Sequence, residues 1–202
     1  MSRRVALWAL VLVGVLMGSS AGATVMVEVP LEDMARDAAV IVRARVVHTG
    51  TQMVMRDGSF DPYTVTTLQV LEGIKGAGEA EQLLVRELGG TYRGGGMWID
   101  GTPRYALGEE VVVFLEHDPI DATYFRTYAM SQGKFVVLHG LPGVPAAVAR
   151  DTRAVAFARW TDGRMTLSHG GREVMQLEAF LDLLRGVVRL DAPARSSVGG
   201  AR

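Results

Sequence analysis

The sequence predicts a mainly β fold. It reads as a small closed or partly open barrel of the OB type, with six to eight short strands between a short N-terminal helix and a C-terminal amphipathic helix. Three observations carry this reading. Short runs rich in Val, Thr, Tyr and other strand-prone residues recur through the middle of the chain, and over residues 40–47 they alternate apolar and polar at period two, the spacing that sets one side of a strand on a core. Asp-Gly and Gly-rich stretches punctuate those runs where tight turns need residues that tolerate positive φ. Helical periodicity is confined to the two ends.

Taken in order, Leu31, Met34, Ala35 and Ala38 recur at helical spacing after Pro30, and Glu32 and Asp33 sit in the first turn, where carboxylates favour a helix N-terminus. The period then changes. In residues 40–47, Val40, Val42, Ala44 and Val46 share one face of a half-buried strand and Arg43 and Arg45 the other. Asp57-Gly58 predicts a hairpin over residues 52–71, with Met53 and Met55 sharing a face as core methionines. Residues 83–88 form a further strand. Residues 111–115 (VVVFL) are apolar on both faces, as a central strand requires. Residues 124–130 and 135–138 read as two strands joined by a β-turn at Ser131-Gln132-Gly133, and 154–160 with 165–168 as a hairpin on Asp162-Gly163. Val174, Leu177, Phe180, Leu181, Leu184 and Val188 make the apolar stripe of the last helix, with Glu173 early and Arg185 and Arg189 late.

The organisation expected is a signal peptide over 1–23, one barrel domain with its helix over 24–190, and a disordered tail over 191–202, where Ala, Pro, Ser, Gly and Arg dominate. Arg3 and Arg4 precede an apolar run from Val5 to Met17, followed by small residues ending Ala21-Gly22-Ala23, an A-x-A cleavage pattern. At 1.5 Å per residue that run rises about 20 Å, short of a hydrocarbon core of about 30 Å. The expectation is export to the periplasm or beyond, with no stable membrane insertion after cleavage. An uncleaved anchor on an envelope structural protein is the competing reading. Over 202 residues, 21 basic and 22 acidic side chains exclude a broadly basic nucleic-acid binder. The absence of cysteine excludes disulfides, thiolate metal sites and a cysteine nucleophile.

The order of several short motifs has a counterpart. A short helix precedes the strand Ala38-Ala39-Val40-Ile41-Val42-Arg43-Ala44-Arg45-Val46; a later strand ends in a Lys-Gly turn, Val70-Leu71-Glu72-Gly73-Ile74-Lys75-Gly76; and Leu107-Gly108-Glu109-Glu110 leads into Val111-Val112-Val113-Phe114-Leu115. Over roughly residues 30–140 this resembles the OB-type barrel of netrin-like domains, which include tissue inhibitors of metalloproteinases. The resemblance implies an exported binding module with a secreted protein partner, a metalloprotease among the candidates. In those inhibitors an N-terminal cysteine supplies the amine and carbonyl that chelate the protease zinc. Here Thr24, the first residue after the cleavage pattern, would stand in that place, without a disulfide to fix it.

No catalytic residue, cofactor or metal ligand set emerges from the remaining motifs. His48, His117, His139 and His169 are isolated in sequence, without the close spacing that a local metal site uses, and read as surface or turn residues. Glu116-His117-Asp118 reads as a solvated turn, although His117, Asp118 and His139 would be the first suspects if a secreted hydrolase or metal-dependent site assembled only in the fold. Ser131 is followed by a strand rather than by the helix that a nucleophile elbow needs. Arg43 and Arg45, with Arg86 as a third member, would make an anion-binding patch on a strand face, but the strand has no interleaved aromatic residues and no nucleic-acid partner is expected. The most unusual stretch is Gly89-Gly90 to Gly94-Gly95-Gly96, interleaved with Tyr92, Arg93 and Trp98. It lacks the Lys-Ser/Thr and helix of a phosphate loop. Exposed Tyr, Trp and Arg are favoured where partners bind, so Thr24, Tyr92, Arg93 and Trp98 are the candidate partner-binding residues.

Overall fold

A computed structural model describes residues 24–56 and 58–191. The expected signal peptide and, beyond Asp191, the expected tail lie outside the described residues. The chain runs β1 (Thr24–Val27), α1 (Leu31–Asp37), β2 (Val40–Arg56), β3 (Ser59–Lys75) and β4 (Gln82–Leu88). It continues through β5 (Gly90–Tyr92), β6 (Gly95–Met97), β7 (Glu110–His117) and β8 (Phe125–Thr127), then a 3-10 turn (Met130–Gly133). The last part comprises β9 (Lys134–Leu138), β10 (Ala147–Asp151), β11 (Val155–Thr161), β12 (Arg164–His169), β13 (Arg172–Gln176) and α2 (Leu177–Asp191).

Five strands, ordered β7-β2-β3-β4-β8, curl until β8 meets β7 again, which makes the small, partly open barrel. The seam is thin, because β4 and β8 share only the parallel pair Val85 and Phe125. Strand β7 is where the barrel and the rest of the sheet part company. One of its edges pairs with β2, from Val40–Leu115 to Arg45–Glu110. Its other edge is divided: Val111–Val113 pair with β9, while Leu115–His117 pair with β8. From β9 the sheet continues through β10 to β13.

That position explains the unbroken apolar run in β7. Val111, Val113 and Leu115 point into the barrel beside Val42, Val46, Leu68 and Val85. Val112 and Phe114 point the other way, into a second core beneath α1 and α2. There Phe180 of α2 stacks on Phe135 at 4.6 Å between centroids, and Phe135 on Phe114 at 5.9 Å. Lys75, at the Lys-Gly turn, donates to the carbonyls of Ala35 (3.0 Å) and Arg36 at the end of α1. A cation there satisfies carbonyls the helix leaves open. Gly76 follows with φ +64°, and a Cβ at that position would lie 2.1 Å from the Ala39 carbonyl oxygen. The turn therefore fits against α1 only as glycine.

The structure corrects several local expectations. The strand at 40–47 and the hairpin at 52–71 are one long hairpin, bent by register shifts between Ile41 and Val42, Arg43 and Ala44, and Val46 and His48. Beyond the reach of β4 and β7 its outer end projects, so Met53 is half-buried and Met55 is 67% exposed rather than core. The strand expected at 124–130 stops at Thr127. Ala129 and Met130 adopt left-handed φ of 55° and 56°, and Ser131-Gln132-Gly133 forms a 3-10 turn instead of a β-turn. Gln132 explains that turn: it is buried, accepts from Val29 N–H (2.9 Å) and donates to the Val27 carbonyl (3.0 Å), clamping the segment after β1. Val174 leaves the predicted helix stripe for β13 and is exposed, because Glu173 and Val174 pair with β10. The hairpin on Asp162-Gly163 forms as predicted, and β1 adds to it as a parallel third strand, Thr24 opposite Val155.

Replacing Phe180 with alanine should cost about 3–5 kcal/mol, the usual range for emptying a fully buried aromatic site. Urea denaturation should show a lower midpoint; a change below about 1 kcal/mol would mean that α2 does not hold this core.

Candidate functional site

The Gly-rich stretch folds into the β5–β6 hairpin, which lies across the barrel hairpin. Arg93 (φ 48°) and Gly94 (φ 83°) form its tip, two consecutive positive-φ residues as a tight two-residue turn requires. Gly90 rests on β2 and β3, where a Cβ would meet Thr51 Oγ1 at 2.7 Å and Thr64 Oγ1 at 2.9 Å. Thr64 fixes the approach by donating to the Gly89 carbonyl at 2.8 Å. The hairpin thus holds its aromatic residues in a set frame. Tyr92 is 45% exposed with the Arg93 guanidinium 5.3 Å from its ring, and Trp98 is 58% exposed with Arg104 at 4.4 Å.

A cleft of about 500 Å³ lies behind this hairpin, lined by Thr49, Thr51, Thr64, Glu87, Trp98 and Tyr105 among others. Glu87 is its one acidic side chain. Thr127 N–H donates to Glu87 Oε1 at 2.7 Å, and Tyr105 Oη lies 2.6 Å from Thr127 Oγ1. Burial pushes the Glu87 carboxyl up to about 7, against the hydrogen bonds from Thr127 and the more distant charge of Arg126. No lysine or arginine pairs with it among the described residues: Arg126 is bound to Glu116 at 2.9 Å. Burial also keeps the Tyr105 phenol well above its ordinary range, so it stays neutral. A second cleft of about 620 Å³ opens on the far side of residues 99–104. Of the charged residues that line it, Lys134 is paired with Glu109 at 2.7 Å and Asp151 with Arg153 at 2.6 Å, and Asp100 and Arg172 line it as well.

The buried ion pair of the barrel is elsewhere. Arg86 on β4 donates twice to Asp118, Nε to Oδ2 at 3.0 Å and Nη2 to Oδ1 at 2.8 Å, and both side chains are about 5% exposed. Tyr124 and Tyr63 cover the guanidinium at 4.5 and 5.5 Å. Burial would raise Asp118, but Arg86 and the Ile120 and Asp121 amides hold it below the ordinary carboxylate value. Asp118 is therefore no solvated turn residue. Glu110, at the start of β7, is buried; Arg43 (2.6 Å), Arg45 (3.1 Å) and His139 (3.0 Å) all converge on it. Burial is again outweighed, and its carboxyl is lowered. The anion patch expected from Arg43, Arg45 and Arg86 does not form, since the first two share Glu110 and the third serves Asp118.

The four candidate residues divide. Tyr92, Arg93 and Trp98 share the β5–β6 hairpin and its exit, whereas Thr24 opens β1 on the separate β1-β11-β12 sheet. His117, Asp118 and His139 are not brought together. His117 ends β7 and stacks on Phe125 at 4.9 Å, while His139 binds Glu110 at the start of the same strand. Seven residues at about 3.3 Å each put those positions roughly 23 Å apart. Among the described residues no three His, Asp or Glu side chains gather as a metal-ion group, and no helix is long and apolar enough to cross a membrane. Sequence reasoning missed Glu87, Tyr105, Arg104 and the threonine wall. One signal was present: Glu87 follows Leu83 and Val85 at period two, a carboxylate on a strand's apolar face.

No protein-family model matches the chain, and no curated protein or solved structure matches it.

Two measurements test this site. Asp118→Asn leaves Arg86 charged and unpaired in the interior and should cost about 3–5 kcal/mol in chemical denaturation. Because the native Asp118 carboxyl is lowered, its contribution is present at neutral pH and is lost as pH falls below the ordinary value of 3.8. Glu87 has the opposite sign. Its native carboxyl titrates near 7 against an ordinary 4.5, so stability is greatest below 4.5 and declines as pH rises through 7. Glu87→Gln should flatten that decline and stabilise the protein at pH 8 by roughly 1–3 kcal/mol; a thermal melting series from pH 4 to 8 reads both slopes.

Proposed function

We propose that the protein is an exported, non-catalytic β-barrel module that binds a secreted protein. The β5–β6 hairpin and Trp98 form the contact surface, and an extracellular protease, a metalloprotease first, is the partner to test. The observation that carries this reading is the paired presentation of Tyr92 under Arg93 and Trp98 under Arg104 on a hairpin whose backbone is anchored to β2 and β3. Large rings that are exposed yet held in place lose little freedom on binding, and Tyr, Trp and Arg dominate the residues that carry binding energy. The N-terminal run of apolar residues between Arg4 and an A-x-A pattern supports export. The partly open barrel suits the netrin-like comparison made from the motifs. For the protease reading, β1 supplies what the missing disulfides do not: pairing with β11 sets the backbone at Thr24.

The test is capture from the native secreted fraction on the immobilised mature chain, followed by affinity measurement with each recovered partner. Tyr92→Ala and Trp98→Ala should each weaken binding by about 10- to 100-fold, the effect of losing an aromatic anchor worth about 1.4–2.8 kcal/mol. Unchanged affinity in the double variant would remove the hairpin from the interface. If the partner is a metalloprotease, acetylating the Thr24 amine of the mature chain should abolish inhibition.

A further inference from the structure

We infer that the cleft behind the β5–β6 hairpin is a specificity pocket for a primary alkylammonium group, seated on Glu87, with the side chain of a partner's lysine or a free amine as its source. The inference rests on the binding-module reading and deepens it. Glu87 stands on the inward-facing side of β4 with Leu83 and Val85, yet it lines an open cleft rather than the packed barrel interior. Among the described residues its hydrogen bonds come from Thr127 alone, and no lysine or arginine forms an ion pair with it, Arg126 acting only from a distance. Of the neighbouring charges, Arg126 on β8 is paired with Glu116 and Asp118 after β7 with Arg86, while Arg104, which also lines the cleft, lies over the Trp98 ring. Tyr105 faces Glu87 as a neutral phenol. The carboxyl is thus half-buried with no ion-pair partner among the described residues, and a cation entering the cleft would supply one.

The surroundings select the kind of cation. Thr127 N–H already takes one lone pair of Oε1, so a guanidinium fork, which uses both carboxylate oxygens, would have to share that oxygen with the amide. An ammonium needs one carboxylate oxygen and point acceptors for its other protons, and Thr49, Thr51 and Thr64 line the same cleft. Leu88, Ile99 and Pro103 line it as well and give an aliphatic stem apolar wall, while the Trp98 ring stands at the rim. Protonation of Glu87 removes the charge that the ammonium needs. The ammonium itself keeps its proton up to about pH 10. Affinity therefore rises through neutrality and stays level to about pH 9.

The experiment is an NMR titration of the full mature chain, following the Trp98 indole N–H and the Glu87 carboxyl carbon. The probes are N-acetyl-lysine methylamide, its norleucine and arginine counterparts, and butylamine. The lysine probe should bind with about millimolar affinity and move both signals. The arginine probe should be at least about tenfold weaker, and norleucine should move neither signal. Affinity should fall about tenfold per pH unit below about pH 6, and Glu87→Gln, which keeps the shape and removes the charge, should abolish binding at pH 8. Butylamine as tight as the lysine probe assigns the pocket to free amines; a tighter lysine probe assigns it to a protein side chain. Equal shifts with norleucine, lysine binding retained in Glu87→Gln, or no shift with any amine would overturn the inference. These readouts need no partner, so they stand or fall separately from the capture experiment: alanine at Tyr92 and Trp98 tests the surface, and Glu87→Gln tests the pocket.

Discussion

The barrel, the extended sheet and the helix layer all depend on β7 being buried on both faces. Its second edge is shared by two strands that go separate ways, β8 back into the barrel and β9 out into the extended sheet. A strand in that position has no solvent side, so residues 111–115 must be apolar without alternation, and they are. The two cores then follow from strand geometry alone. Odd positions fill the barrel and even positions seat the helices, because successive side chains point to opposite faces. A polar residue at Val112 or Val113 would damage one core or the other, and at neither position is there water to receive it.

Charge enters this apolar frame only at its margins, and each case is resolved differently. Arg86 and Asp118 neutralise one another between two tyrosines, which turns a costly burial into a tie between β4 and the turn after β7. Glu110 gathers two arginines and a histidine on the outer face of β2 and β7. Glu87 has neither arrangement. It has hydrogen bonding from Thr127 and the more distant charge of Arg126, and burial outweighs both, so its carboxyl is raised. An unmatched carboxyl beside an open cleft is the feature that stability does not explain. It lies behind the same hairpin that displays Tyr92 and Trp98, so surface and pocket form one continuous region.

Much of the architecture was legible in the chain. The helix after Pro30, the central strand at 111–115, the hairpin on Asp162-Gly163 and the last helix all carry strong local signals, because one period or one turn type specifies each. The errors share a cause. Val174 fits the helical stripe by spacing, but β10 offers its backbone a sheet partner, and pairing outweighs periodicity there. Met53 and Met55 fit a core strand, but the hairpin outgrows the strands that would cover it. Ser131-Gln132-Gly133 resembles a β-turn until Gln132 is seen to clamp a segment more than a hundred residues away. Of the candidate site, Tyr92, Arg93 and Trp98 stood out by composition, whereas Glu87 was hidden inside an ordinary-looking strand.

The sequence by itself determined the β class, the terminal helices and the doubly buried strand, since each depends on residues close together in the chain; it marked the Gly-rich aromatic stretch as a loop, and the structure makes it the β5–β6 hairpin. Only the tertiary structure decided which charges cancel. Arg86 finds Asp118 32 residues away and Arg43 finds Glu110 across 67, and such pairings are set by strand order rather than by spacing. The same folding leaves Glu87 without an ion-pair partner among the described residues, because an unpaired charge is defined by everything that packs around it and fails to reach it.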